Sequence, residues 1–223
     1  MDTLIAILIV LTNTAQFDSA HATGVWLEEF AAPHQIFMDA GAEITVASPL
    51  GGVVPIDPRS WNEESEKMFG KEAELLKDTK PLADVDVSQY DALFFPGGHG
   101  TMFDLPGNEL VQSAILGMYE EGKVIAAVCH GPAAFADLTF SDGTPFLKDK
   151  KIACFTDDEE RAVQLDGLMP FMLESKLSEQ GATVETAENF QSKVVVDGQL
   201  VTGQNPASSV GVAEAVLKAV GQK

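Results

Sequence analysis

The segment Ala127-Val128-Cys129-His130-Gly131 sets a nucleophile-type side chain between an apolar run and a run of small residues, with small residues two positions before and after it. A sharp strand-to-helix turn leaves no room for bulk at those flanks, so the spacing is that of a nucleophile elbow. A helix opening at Pro132 would put its N-terminus behind Cys129, lower the thiol's pKa and aim backbone N–H groups at an oxyanion. The chemistry expected is attack by a thiolate at neutral pH. The competing expectation is an inert buried thiol, which is how Cys154, inside a strand pattern without a glycine turn, is read. His130 offers either its backbone N–H or its imidazole.

Two other features suit the same chemistry. Pro96-Gly97-Gly98-His99-Gly100 brings backbone N–H groups where side chains would block approach, as an oxyanion hole requires, although a tight turn after a strand is the simpler use. His99 reads as a surface loop histidine. In Val25-Trp26-Leu27-Glu28-Glu29-Phe30, one of the two carboxylates must approach the apolar face of a helix. A carboxyl there should have a raised pKa and could act as a general acid or base; a fully solvated pair is the alternative.

These residues need elements to hold them. Ile5–Val10, Ile44–Ala47, Ala92–Phe95, Val124–Val128, Lys151–Phe155, Thr183–Thr186 and Lys193–Val196 read as strands. Between and after them, helices are expected over Gly24–Ala40 with a kink or restart at Pro33, Ser65–Lys77, Asn108–Glu121, a short Pro132–Ala136, Asp158–Gln180 broken near Pro170, and Ala207–Val220. Strand-helix alternation implies a mostly parallel sheet between helices, with ligands outside the carboxyl ends of the strands. The stretch around Trp61 and Asn62–Lys80 reads as a solvated insertion rather than a lid.

The 223 residues, 45% hydrophobic and 22% charged, suit one globular domain spanning 1–223. Fourteen Lys+Arg against thirty-four Asp+Glu give a net charge of −20, which argues against nucleic-acid and membrane partners. The apolar run Leu4–Leu11 is too short and too poorly flanked for a signal peptide, and two cysteines do not make a disulfide framework, so a cytoplasmic location is expected. No His/Cys spacing suggests zinc.

The elbow with Pro132, Phe95-Pro96-Gly97-Gly98-His99-Gly100, Gly24-Val25-Trp26-Leu27-Glu28-Glu29 with Pro33, Ala47-Ser48-Pro49 with Gly51-Gly52, and Thr202-Gly203-Gln204-Asn205-Pro206-Ala207-Ser208-Ser209 together resemble the DJ-1/ThiJ/PfpI superfamily, most closely its Hsp31-like branch. The resemblance implies a flavodoxin-like three-layer α/β sandwich and a homodimer. It makes Cys129 the nucleophile, His130 its partner and Glu29 the helix carboxylate that contacts the thiol. An acidic third member follows Phe155-Thr156, where Asp157, Asp158, Glu159 and Glu160 all stand; alignment of the Phe-Thr pair favours Glu160. Gly98, the neighbouring Gly97 and the His130 backbone would hold oxyanion charge, and Trp26 would wall a small pocket.

The implied activity is a glutathione-independent glyoxalase that turns methylglyoxal and related 2-oxoaldehydes plus water into 2-hydroxy acids, without metal or organic cofactor. A chaperone or protein deglycase role, or a cysteine redox sensor, is the alternative. Glutamine amidotransferases share the elbow but draw their base from a later histidine, and His21, His34, His99 and His130 include none after the elbow. A peptidase is disfavoured by the small pocket.

Overall fold

The strand β1 (Ala6–Val10) is apolar throughout because both of its faces are covered, and Ile7 to Val10 are fully buried. The computed structural model describes residues 4–221, so the expected domain limits at 1 and 223 lie outside the described residues. Helix α1 (Leu27–Asp39) leads to β2 (Glu43–Ser48), α2 (Glu63–Leu75), the two-residue β3 (Lys80–Pro81) and β4 (Ala92–Phe95). Then come α3 (Thr101–Asp104), α4 (Glu109–Glu120), β5 (Val124–Val128), β6 (Lys151–Ile152), α5 (Asp157–Ala162) and α6 (Leu173–Glu179). The chain closes through β7 (Thr183–Val184), β8 (Val194–Asp197), β9 (Leu200–Gly203) and α7 (Ser209–Val220).

Seven strands form the central sheet in the order β3-β2-β1-β4-β5-β9-β8, every pair parallel except β8 with β9. From β1 the chain moves outward to β2, whereas from β4 it moves the opposite way to β5. Right-handed crossovers in opposite directions place their helices on opposite faces, which gives three layers. Helices α1 and α7 pack together, α7 lying on β5 and β9, while α4 lies on β4 and β5. The direction reverses between β1 and β4, so the crevice for a ligand opens at their carboxyl ends.

Several expectations need correction. The Lys151–Phe155 strand is only Lys151–Ile152, and it pairs with β7 in a separate two-stranded ribbon. Strand β9 was not expected, although it is the immediate neighbour of β5. The Asp158–Gln180 helix is two short helices separated by turns around Pro170. Pro33 sits inside an unbroken α1, where it leaves the Glu29 carbonyl without its helical donor. The acidic insertion carries a helix capped by Asn62, with Phe69, Glu72 and Ala73 buried and α1 as its neighbour. Among the described residues no helix is long and apolar enough to cross a membrane.

Candidate active site

The turn after β5 carries Cys129 at φ +59°, a left-handed backbone that a non-glycine residue adopts only where its surroundings impose it. The surroundings here are hydrogen bonds on both sides. The Cys129 N–H donates to the Gly203 carbonyl at the end of β9, and the Cys129 carbonyl accepts from the Phe155 N–H, both at 2.9 Å. Gly131 is small of necessity, because a Cβ there would meet the Phe95 carbonyl. Gly98, at φ +96°, is pressed against the backbone of Gly24 and Trp26 in the same way.

His130 is fully buried, with Nδ1 3.3 Å from Cys129 Sγ and Nε2 2.7 Å from Glu160 Oε2. Of the four consecutive acids, Glu160 alone reaches it. Asp157 and Asp158 pair with Arg161, and Asp157 also takes the Ser175 hydroxyl. Glu159 turns inward to bond the Phe190 N–H and the amides of Gln204 and Asn205. Burial pushes the Glu160 carboxyl up, but hydrogen bonds from His130 and His99 outweigh it and hold the group well below the usual carboxylate range.

Glu29, in the first turn of α1, is fully buried, whereas Glu28 is exposed. Its Oε2 accepts the Gly97 N–H at 2.7 Å, and its Oε1 has no hydrogen-bond partner among the described residues. Burial pushes its pKa up to about 8, against the opposing pull of the adjacent Cys129 thiol and the Gly97 amide. Glu29 is therefore mostly protonated at neutral pH.

Cys129 departs from expectation. Only a five-residue 3-10 turn, Gly131–Phe135, stands behind it in place of an α-helix. Burial, followed by the charge of Glu29, pushes the Cys129 thiol up rather than down. The resting sulfur holds its proton and needs a base to remove it. Cys154, also free and buried, is likewise pushed up by burial.

A cavity of about 210 Å³ lies over the sulfur, lined by Trp26, Arg59, Gly98, His99, Cys129, His130, Phe155, Val163, Phe190 and Pro206. Trp26 and Gly98 are where the sequence predicts them. Gly97 is not: its N–H is engaged by Glu29, so it aims the carboxyl instead of facing substrate. No protein acceptor among the described residues takes the Gly98 N–H, which leaves that amide for a ligand oxygen, while the His130 N–H faces the Cys129 sulfur beside it. A second cavity of about 290 Å³ shares Trp26 and Arg59 with the first and is otherwise lined mainly from Ser60 to Phe69.

His99 is not the surface histidine the sequence suggests: it is buried and bonds Glu160 Oε1 through Nε2 at 2.9 Å. Its signal was the turn itself, because flanking glycines leave His99 the one large side chain at the carboxyl end of β4. Arg59 had no comparable signal. Linear spacing gave no metal motif, yet His99, His130 and Glu160 have ligand-type atoms within 4.8 Å of one another. Those atoms already bond each other, Glu160 accepting from both rings.

A strained elbow cysteine at the carboxyl end of a central strand in a parallel α/β sheet marks the enzymes that carry substrate on sulfur. Within that class the chain belongs to the DJ-1/PfpI family, which it matches over residues 20–219. It is 34% identical to "Glyoxalase 3" of Candida albicans over 97% of this chain and 98% of that protein. It is 30% identical to "Glutathione-independent glyoxalase HSP31" of Saccharomyces cerevisiae, covering 91% of this chain and 92% of that one. A crystal structure of glyoxalase III from Candida albicans superposes with a TM-score of 0.86 at 34% identity, covering 96% and 97% of the two chains.

Proposed function

We propose that this protein is a cofactor-independent, cysteine-dependent glyoxalase that converts methylglyoxal and related 2-oxoaldehydes plus water to 2-hydroxy acids without glutathione. The observation that carries the reading is the placement of two proton-transfer groups on one sulfur. His130, backed by Glu160, stands 3.3 Å from Cys129, and the buried Glu29 carboxyl lies beside the same thiol.

His130 Nδ1 takes the thiol proton as sulfur attacks the aldehyde carbon, and returns it to the carbonyl oxygen, giving a hemithioacetal. Glu29 as carboxylate then removes the C1–H proton. The electron pair forms an enediolate, whose oxygen charge the Gly98 amide stabilises. Glu29 delivers the proton to the neighbouring carbon while the hydroxyl proton on the C1 oxygen passes to the C2 oxygen, leaving a 2-hydroxyacyl thioester. Water, deprotonated by His130, attacks the thioester and expels the sulfur. Trp26 and the aromatic walls limit the cavity to a small substrate, in keeping with its volume of about 210 Å³.

The same reading makes the chain one catalytic domain, a homodimer and a cytoplasmic protein. Two free cysteines and the resemblance to its family support those assignments, and the net charge of −20 supports the absence of nucleic-acid and membrane partners. Light scattering and cell fractionation test the dimer and its location.

The test of activity is lactate formation from methylglyoxal without glutathione. Wild type should turn over, while Cys129→Ala and Glu29→Gln should each lose kcat by about 10²-fold or more. A silent wild type overturns the proposal.

A further inference from the structure

The catalytic reading uses one oxygen of Glu160 and leaves the other engaged with a residue it assigns no role. His99 Nε2 lies 2.9 Å from Oε1 while His130 Nε2 lies 2.7 Å from Oε2, so each carboxylate oxygen serves one histidine. The ionised carboxylate only accepts, so both nitrogens donate. On its other side, His99 Nδ1 lies 3.1 Å from Arg59 Nη2. A guanidinium only donates, so Nδ1 is bare and the ring is neutral, with its proton on Nε2. Arg59 is itself fixed: its Nε donates to Asp57 Oδ1 at 2.8 Å, and buried Asp57 also accepts the Thr23 hydroxyl at 2.9 Å.

The geometry points to Arg59 and His99 as positioning residues: Arg59 holds His99 as the neutral Nε2–H tautomer, and His99 clamps Glu160 so that its other oxygen aims His130 at Cys129. The inference rests on the roles given above to Cys129, His130 and Glu160. Glu160 stands on a helix of six residues, and one hydrogen bond would let its carboxylate rotate; a second, on the opposite oxygen, fixes the plane.

His99 must also stay uncharged. Its ring centroid is 4.0 Å from that of His130, so a cation there would oppose the imidazolium that forms when His130 takes the thiol proton. The ionisable groups around it are Arg59 from the loop after β2, with Asp57 behind, His130 from the elbow and Glu160 from α5. Phe17 and Phe155 close the remaining sides edge-on. Burial, then His130 and Arg59, hold the His99 pKa down to about 4, against the pull of Glu160.

The test is the pH dependence of Cys129 alkylation by iodoacetamide on the intact protein, with Cys129→Ser as the blank for Cys154. This readout needs no turnover. His99→Leu should slow alkylation at pH 7 about tenfold, moving the profile up by roughly one pH unit. His99→Gln, whose amide can donate to Oε1, should recover most of that loss. Arg59→Met frees Nδ1 and removes one of the charges that hold His99 neutral, so it should shift the acid limb of the profile upward from about 4. The double variant Arg59→Met/His99→Gln should lack that limb.

In methylglyoxal turnover, His99→Leu should lower kcat and leave KM unchanged. Folded His99→Leu and Arg59→Met proteins whose alkylation profiles overlay wild type would overturn the inference. So would a His99→Gln variant no better than His99→Leu, which would mean a packing role only. Should His99→Leu not fold, the Arg59→Met limb decides, since that side chain is 37% exposed. Profiles that shift as expected in a protein that forms no lactate would uphold the clamp and overturn the glyoxalase reading.

Discussion

Glu29 couples reactivity to stability through a single proton. Its unfolded carboxyl ionises near the ordinary value, whereas the folded one keeps its proton until about 8. Between those two values unfolding releases a proton, so the folded state loses stability as pH rises through that window. At pH 7 the difference amounts to about 3 kcal/mol. Glu29→Gln carries no such charge, so its Tm should lie above wild type at pH 7 and 8 but close to it near pH 4.5. In wild type, kcat should climb from pH 6 to a plateau above about 8 as the carboxylate form fills. A flat profile would remove Glu29 as the base. The sequence shows why one of the glutamate pair must turn inward, and the Phe-Thr alignment points to Glu160. It does not show that Arg59 and His99 meet at Glu160, because that depends on the loop after β2 and the turn after β4 converging on α5 from distant parts of the chain.

At the scale of elements, the elbow depends on the fit between β4, β5 and the turn that follows. Gly131→Ala would drive a methyl group into the Phe95 carbonyl, and the turn would have to move away from β4. The expected cost is about 1–3 kcal/mol in chemical denaturation, with kcat falling further than stability because Cys129 moves with the turn. The continuous apolar runs of β1, β4 and β5 are legible because strands covered on both faces need no polar alternation. Strand β9 is less so, being four residues long with Thr202 among them. A signal was present all the same. Asp197 and Leu200 pair across Gly198-Gln199, and a glycine at the first loop position between apolar runs marks a two-residue hairpin. The Lys151–Phe155 run misleads because its backbone leaves the ribbon after Ile152: the Ala153 N–H turns to the Thr202 hydroxyl and the Phe155 N–H to the elbow.

Across the whole molecule, a charge of −20 on 223 residues means self-repulsion that the compact state must bear. Raising ionic strength from 0.01 to 1 M shortens the screening length from about 30 to 3 Å, so Tm should rise with sodium chloride. A Tm independent of salt would mean that the charges are already paired locally. The strand-helix alternation made the layered architecture legible in advance. The reversal of direction between β1 and β4, which decides where the cavity opens, depends on strand order and stays hidden until the sheet is seen. The anchoring of Cys129 has a practical corollary at this scale. Its amide and carbonyl are tied to segments 203 and 155, which belong to the body of the fold, so local fraying does not reach them. Heat inactivation should therefore coincide with the loss of the fold as a whole, and the amide protons of Cys129 and Phe155 should be among the last to exchange with deuterium.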